Sequence, residues 1–292
     1  MRRLIVNADD FGLTPGVNRG IVEAHSGGIV TSSTLMANAP ALDDAIRLAG
    51  SSPGLSLGCH VVLVDGAPVL DSSHVPTLVS AKREGCFEEG IAAFAIRVLR
   101  GQIDADQVEA EVTAQIRKLQ SAGVQVTHLD THKHTHIFPQ VLRPILRAAR
   151  ACGVRAIRNP FGRVAFSQIA NRPGLWKRYG QVKMLNAWAA TFAQTVAAAD
   201  MSTPDGSLGI VATGSLDDRL FRLILENLPE GTWELVCHPG YNDDALGRVR
   251  TRLRESREVE LQLLTSAEAR KWLMRDRVQL ISYHDLTLPS PE

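Results

Sequence analysis

Residues 4–10 read Leu4-Ile5-Val6-Asn7-Ala8-Asp9-Asp10, an unbroken apolar run that stops at polar Asn7 and, one residue on, at two adjacent carboxylates. A short run without alternation is the pattern of a strand covered on both faces of a parallel sheet. Acids at its C-terminal end stand where such sheets keep their chemistry. The same grammar repeats outward from this strand. Residues 17–25 have Val17, Ile21 and Ala24 on one helical face and stop at Gly27-Gly28. Residues 30–36 read as a second strand, 42–49 as a helix, and 55–64 as a third strand carrying Cys59-His60. Residues 64–87, rich in Gly, Pro and Ser, read as one long functional loop. Two helices follow, and the second carries Val108, Val112, Ile116 and Leu119 in an amphipathic stripe. Residues 124–130 are a strand running into a histidine cluster, 139–152 a helix opened by proline, and 154–158 a short strand. Residues 161–199 are the least regular stretch. Strands at 208–212, 233–237 and 278–283, a helix at 217–228 and charged helical segments over 248–275 complete the chain.

Strand–helix alternation throughout, with no repeat and no shift in composition, implies a parallel sheet covered by helices. Seven or eight strands in one unit favour an α/β architecture of a single (β/α) barrel, taken as seven-stranded and imperfectly closed. The chain has 32 basic and 31 acidic residues. This near-neutral balance argues against a nucleic-acid partner, which calls for a basic face. No apolar run of about 18 residues exists, so no helix is expected to span a membrane. Cys59, Cys86, Cys152 and Cys237 lack CxxC spacing and read as reduced thiols. Only Leu4-Ile5-Val6 follows the two N-terminal arginines, too short for a signal sequence, so a cytoplasmic protein is expected.

Chemistry concentrates at the strand ends. Asp9 and Asp10 repel one another, a cost that a metal or a hydrogen-bond network would offset. A plainer alternative is a cap for the helix that follows. His60 at a strand end is a metal ligand or a structural imidazole. Residues 128–136 place His128, Asp130, His132, His134 and His136 at alternate positions, which on an extended chain share one face. Four imidazoles and a carboxylate make a poor core and a good divalent-metal surface. They cannot all ligate one ion, so some must orient ligands or face substrate. His238 in Cys237-His238-Pro239-Gly240 is held by a rigid turn and reads as a general acid or a packed loop residue. Arg158 in Arg158-Asn159-Pro160 pairs with a site carboxylate or with the barrel rim. Gly-x-Ser-x-Gly, Walker and Gly-x-Gly-x-x-Gly motifs are absent.

Asn7-Ala8-Asp9-Asp10-Phe11-Gly12, Asn18-x-Gly20-Ile21, Val30-Thr31-Ser32, Gly58-Cys59-His60, Thr127-His128-Leu129-Asp130-Thr131-His132 and Cys237-His238-Pro239-Gly240 occur in this order. Together they resemble the YdjC-like carbohydrate deacetylases, from the first strand to about residue 282. The resemblance implies a barrel of the glycoside hydrolase/deacetylase type over residues 1–286, followed by a tail at 287–292. It implies one divalent metal (Zn, Co, Mn or Fe by ligand type, with Mg less suited) held by Asp10, His60 and His132. Asp9 matches the catalytic base and His238 the proposed acid. Asp130, His134, His136 and Arg158 fall to substrate contact or to support of the ligands. The implied reaction removes acetyl from an N-acetylglucosamine-type sugar. Overall likeness is greatest to the hopanoid biosynthesis-associated branch, which implies an N-acetylglucosaminyl hopanoid lipid and contact with the inner face of the membrane. The uncharged residues 184–199 are a lid, an interfacial segment or, as the preferred expectation, a barrel helix. Two alternatives stand beside this: another barrel metal hydrolase, such as an amidohydrolase or phosphoesterase, and a carbohydrate-binding barrel without chemistry.

Overall fold

The computed structural model describes residues 1–162, 169–170 and 172–288. Its elements run β1 (Arg2–Phe11), α1 (Pro15–Ser26), β2 (Ser32–Leu35), α2 (Leu42–Gly50), β3 (Ser56–Val61), β4 (Val79–Ser80), β5 (Arg83–Phe87), α3 (Ile91–Leu99), α4 (Ala105–Ser121), β6 (His128–Thr131), α5 (Pro139–Ala151) and β7 (Ala156–Ile157). They continue with α6 (Trp176–Leu185), α7 (Ala189–Ala198), β8 (Gly206–Leu208), α8 (Asp218–Glu226), β9 (Gly231–Cys237), α9 (Asp244–Gly247), α10 (Glu255–Thr265), α11 (Ala267–Arg275), β10 (Val278–Ile281) and α12 (Tyr283–Thr287). Seven parallel strands lie in the order β7-β6-β3-β2-β1-β9-β8, and β10 joins β1. β1 pairs with β9 from Arg2 to Ala8 on one edge. On the other edge it carries β10 along Arg2 to Ile5 and β2 from Asn7 onward. Among the described residues no ladder joins β7 to β8. Their ends are linked by an Ala156–Ser202 bridge and by the Ser207 N–H donating to the Phe161 carbonyl. The sheet therefore curls without closing, as expected for an imperfect barrel.

Alternation along the strands sorts the side chains. Leu4, Val6 and Ala8 join the main core beneath the helices, whereas Ile5 packs with Ala156, Ile281 and Tyr283. The face that holds Ile5 also holds Asn7 and Asp9, and from the other strands Thr34, His60, His128, Asp130 and Glu234. All of these are buried and polar. A parallel barrel is normally filled by branched apolar side chains; this one has a hydrogen-bonded interior.

Three local expectations change. The stretch 64–87 contains a 3-10 turn (Ser72–His74) and the antiparallel hairpin β4–β5, whose half-exposed residues show no alternation to read. The strand expected at 208–212 is β8, which ends at Leu208 because Gly209 takes a φ of +87° and turns the chain. The irregular stretch 161–199 contains α6 and α7; residues 163–168 and 171 lie outside the described residues, as do 289–292 of the expected tail. In 184–199 Phe192 and Val196 are buried, so α7 packs on the barrel as a helix.

α1 begins with Thr14 accepting from the Val17 N–H and with proline in its first turn. Asn18 on α1 fastens the loop after β1: its Oδ1 accepts from the Gly12 N–H at 2.7 Å, and its Nδ2 donates to Ala41 O and Asp44. The loop after β9 lies directly on this helix. A Cβ at Gly20 would come within 2.5 Å of Gly240 Cα. Gly20→Ala is therefore expected to cost about 1–3 kcal/mol by overpacking against backbone, seen as a lower Tm. An unchanged Tm would show that the loop holding His238 is not clamped by α1.

Candidate metal and catalytic site

Asp10 is where strand alternation is broken. The register between β1 and β2 shifts between Ala8 and Phe11, and Asp10 takes a φ of +70°, strained for a residue with a Cβ. The shift lets neighbouring carboxylates face different partners. Asp10 Oδ1 lies 3.5 Å from His60 Nε2 and 3.5 Å from His132 Nδ1, and those two nitrogens are 3.2 Å apart. Asp10 Oδ2 accepts from Arg257 Nη2 at 2.5 Å. These contacts leave one carboxylate oxygen and two imidazole nitrogens converging on a point.

His132 reaches that point because the expected extended histidine face does not form. β6 ends at Thr131, and residues His132–Ile137 form a 3-10 turn with Lys133 and His134 at φ 55° and 54°. The turn folds the chain over the barrel mouth and disperses the alternate histidines. His128 stays in the barrel interior. His136 is tied back by Thr131 Oγ1 at 2.6 Å and packs near Phe192. His134 is half-buried, edge-on to His136. Neither His134 nor His136 approaches the converging donors.

Both imidazoles of the trio have a carboxylate behind them. His60 Nδ1 is 2.7 Å from Asp130 Oδ1, which makes Nδ1 the donor and turns the Nε2 lone pair to the trio. His132 Nε2 lies 3.9 Å from Asp65 Oδ2, which also pairs with Lys133. Asp65, at φ +61°, sits in the loop after β3 and has no motif to mark it in the sequence. This donor chemistry fits a divalent ion: one carboxylate, two imidazoles, and at least one tautomer fixed for ligation. Without an ion, burial pulls the His60 imidazole down, but Asp130, Asp9 and Asp10 outweigh it and push the pKa up to about 9. An ion that takes up Nε2 releases that proton.

Asp9 belongs to a separate assembly. Arg158, fully buried, donates Nη1 to Asp9 Oδ2 at 2.8 Å and Nη2 to Asp9 Oδ1 at 2.6 Å. The same guanidinium meets Asp130 Oδ2 at 2.6 Å and Glu234 Oε1 at 2.7 Å. Burial alone would raise the Asp9 carboxyl. Arg158 more than reverses this and holds it well below the usual carboxylate range. Glu234 goes the other way: burial lifts it despite Arg158. Asp9, His60 and Asp130 also lie close enough to share an ion, but Arg158 already bonds both carboxylates, so the free donor set is the Asp10 trio. His238 Nε2 is 3.9 Å from Asp9 Oδ2, and its backbone N–H donates to Glu260 Oε2 at 2.6 Å. Burial lowers His238 to about 4 and raises Glu260 to about 7. Thr34, Glu234, Arg257, Glu260 and Tyr283 take part here with no sequence motif to mark them, and Asn7 does so from within a motif in which only the acids carry an expected role. Charged or amide residues inside otherwise apolar strands are the signal that would have found Asn7 and Glu234.

The pattern of the family described as YdjC-like protein matches residues 3–275 of this chain. The chain belongs to the YdjC-like family. A relative from Brevibacillus brevis named carbohydrate deacetylase is 32% identical over 97% of this chain and 99% of its own length. One of the same name from Listeria monocytogenes serotype 4a is 30% identical over 97% and 100%. A crystal structure titled as a putative cellobiose-phosphate cleavage protein from Enterococcus faecalis V583 superposes with a TM-score of 0.78 at 26% identity, covering 98% of this chain and 99% of that one. Within this YdjC-like chain the two acids of the first strand are divided between two assemblies: Asp10 with the imidazoles, Asp9 with the guanidinium.

The three remaining cluster histidines, His128, His134 and His136, are held neutral by burial, His134 at about 3. Their folded values lie below the unfolded value of about 6.5. The stability they contribute is complete above pH 6.5 and is lost as pH falls below it. His238 adds to this loss and Glu260, raised to about 7, opposes it, so with four imidazoles against one carboxyl the Tm of the metal-free protein is expected to drop between pH 6.5 and pH 5; a flat profile would mean that the three cluster rings are solvated.

Proposed function

We propose that the protein is a divalent-metal-dependent deacetylase that releases acetate from an N-acetylglucosamine-type sugar. One observation carries this: Asp10, His60 and His132 converge beside a separately held Asp9, in a YdjC-like chain whose named relatives are carbohydrate deacetylases. Asp10, His60 and His132 would hold one ion, Zn, Co, Mn or Fe by ligand type. When bound, that ion supplies Lewis acidity toward the acetamide carbonyl and lowers the pKa of water.

The remaining steps belong to side chains. Asp9, kept ionised by Arg158, accepts the proton of the attacking water. So strongly stabilised a carboxylate is a weak resting base and does not retain the proton. His238 enters neutral, because burial holds it at about 4, and takes the proton up. It then donates to the nitrogen as the C–N bond breaks, leaving acetate and a free amine. Glu260 fixes the His238 backbone, and Arg257 holds the second oxygen of Asp10. Asp130 and Arg158 act by holding His60 and Asp9. His136 anchors the turn, and His134 stands at the mouth as a sugar contact.

An N-acetylglucosaminyl hopanoid lipid is the finer substrate in this proposal. α6 supports it: none of its residues is buried, Trp176 and Met184 are 49% and 71% exposed, and Lys177 and Lys183 lie in the same helix. Exposed lysines are drawn to an anionic lipid surface, and exposed tryptophan suits its interfacial layer. No described helix is long and apolar enough to cross a membrane. Co-sedimentation with anionic vesicles is the expected result, and its absence with lipid substrate present would remove the membrane contact.

Asp9→Asn is expected to bind the ion and lose acetate release by about 100-fold or more, whereas Asp10→Asn loses the ion. Wild-type turnover by Asp9→Asn would remove the base. Acetate release measured on N-acetylglucosamine, chitobiose and an N-acetylglucosaminyl lipid ranks the substrates. Glycan binding without acetate from any of them would favour a carbohydrate-binding barrel.

A further inference from the structure

Two arms hold the Asp9 carboxylate. The charged arm is Arg158. The other is neutral and begins at the opposite end of the barrel. The His284 N–H donates to Ser56 Oγ at 3.2 Å, and Ser56 Oγ is 2.9 Å from Thr127 Oγ1. Thr127 Oγ1 is 2.8 Å from His128 Nδ1, and His128 Nε2 is 3.1 Å from Asn7 Oδ1. Asn7 Nδ2 then donates to Asp9 Oδ1 at 3.0 Å.

The Asp9 end settles the direction of this row. An ionised carboxylate only accepts, and once the Thr127 proton is given to His128 the Ser56 hydroxyl must donate to Thr127. Asp9 therefore turns the Asn7 NH2 toward itself, which leaves Asn7 Oδ1 facing His128 as an acceptor. His128 must answer with Nε2–H, and its bare Nδ1 takes the Thr127 hydroxyl proton. The Leu57 carbonyl, 2.9 Å from the same hydroxyl, competes for that proton. Were it to win, two acceptors would meet at Asn7. Every link thus donates toward Asp9, and successive bonds polarise one another. An amide does not pass a proton along without tautomerising, so the row holds Asp9 and does not conduct.

The His128 ring is clamped. On one side a Cβ at Gly58 would lie 2.6 Å from His128 Cε1, so only glycine fits. On the other, Tyr283 stacks at 3.7 Å and 8°. The Tyr283 hydroxyl donates to Glu234 Oε2 at 2.7 Å, and Glu234 bonds Arg158. Both arms share this stack.

We propose that His128, clamped between Gly58 and Tyr283, is a positioning residue that sets, through Asn7, the orientation in which Asp9 meets the attacking water. This rests on Asp9 being the proton acceptor of a deacetylase. His128→Phe keeps the stack and removes both ring hydrogen bonds; His128→Gln restores an N–H with the reach of Nε2. On chitobiose, His128→Phe is expected to lose about 100-fold in kcat, with KM and one zinc per chain retained. His128→Gln is expected to recover about tenfold of that loss. Unchanged kcat, a loss shared with zinc binding, or no recovery in His128→Gln would overturn the proposal. Histidine 15N NMR of the wild-type chain tests the row without catalysis, and does so even where His128→Phe fails to fold. A ring protonated at Nε2 is expected; protonation at Nδ1 overturns the proposal. A wild type that releases no acetate but shows the Nε2–H ring overturns the deacetylase function and the positioning role with it, a result distinct from an active wild type with an indifferent His128.

Discussion

A single guanidinium buried among three carboxylates organises this protein. Arg158 bonds Asp9, Asp130 and Glu234 inside a barrel whose interior would ordinarily be aliphatic. Its charge offsets one of the three, and the surroundings share out the rest. Glu234 is lifted by burial and receives the Tyr283 hydroxyl, while His60 keeps its Nδ1–H on Asp130 and is raised by the surrounding carboxylates to about 9. Breaking such a buried cluster by removing one partner costs about 3–5 kcal/mol, because the partners left behind stay charged and dry. Glu234 on β9, Asp9 on β1, Asp130 on β6 and Arg158 just after β7 are thereby bound into one unit across an open sheet.

That unit explains how adjacent acids keep different partners. Asp9 follows the strand alternation and points inward to Arg158. Asp10 would point at the helices, but the register shift and its positive φ return it to the barrel mouth. Left-handed backbone recurs at Lys133 and His134, where the chain turns back directly after His132, whose ring meets His60. Left-handed backbone at Asp10, Asp65, Lys133 and His134 borders the converging donors, and the clustered interior supplies the rigidity that holds it.

Much of the architecture was legible along the chain. Leu4-Ile5-Val6 as a buried strand and the amphipathic stripe from Val108 to Leu119 follow from spacing alone, and so does the parallel alternation. The failures have physical causes. The hairpin β4–β5 is short and half-exposed, so burial left no pattern in it. The histidine tract was read at a period of two, which holds only while the chain stays extended; positive-φ residues other than glycine are invisible in composition. Arg257 and Glu260 lie in α10, where charged residues read as a solvated face, yet both are buried, Arg257 against the end of β1 and Glu260 against the loop after β9.

The sequence by itself determined the element order, the parallel class and the set of acids and imidazoles available at strand ends, because these depend on local periodicity and residue chemistry. Tertiary structure alone decided which of them meet. Asp10, His60 and His132 come from three separated strands and loops, and their convergence depends on backbone turns that no local pattern encodes. It also decided that His128, in sequence a member of the same cluster, stacks on Tyr283 from the far end of the chain and bonds Asn7 instead. Side-chain identity limits what a group can bond to. Only the packing of distant segments, with the desolvation it imposes, selects the bond that forms.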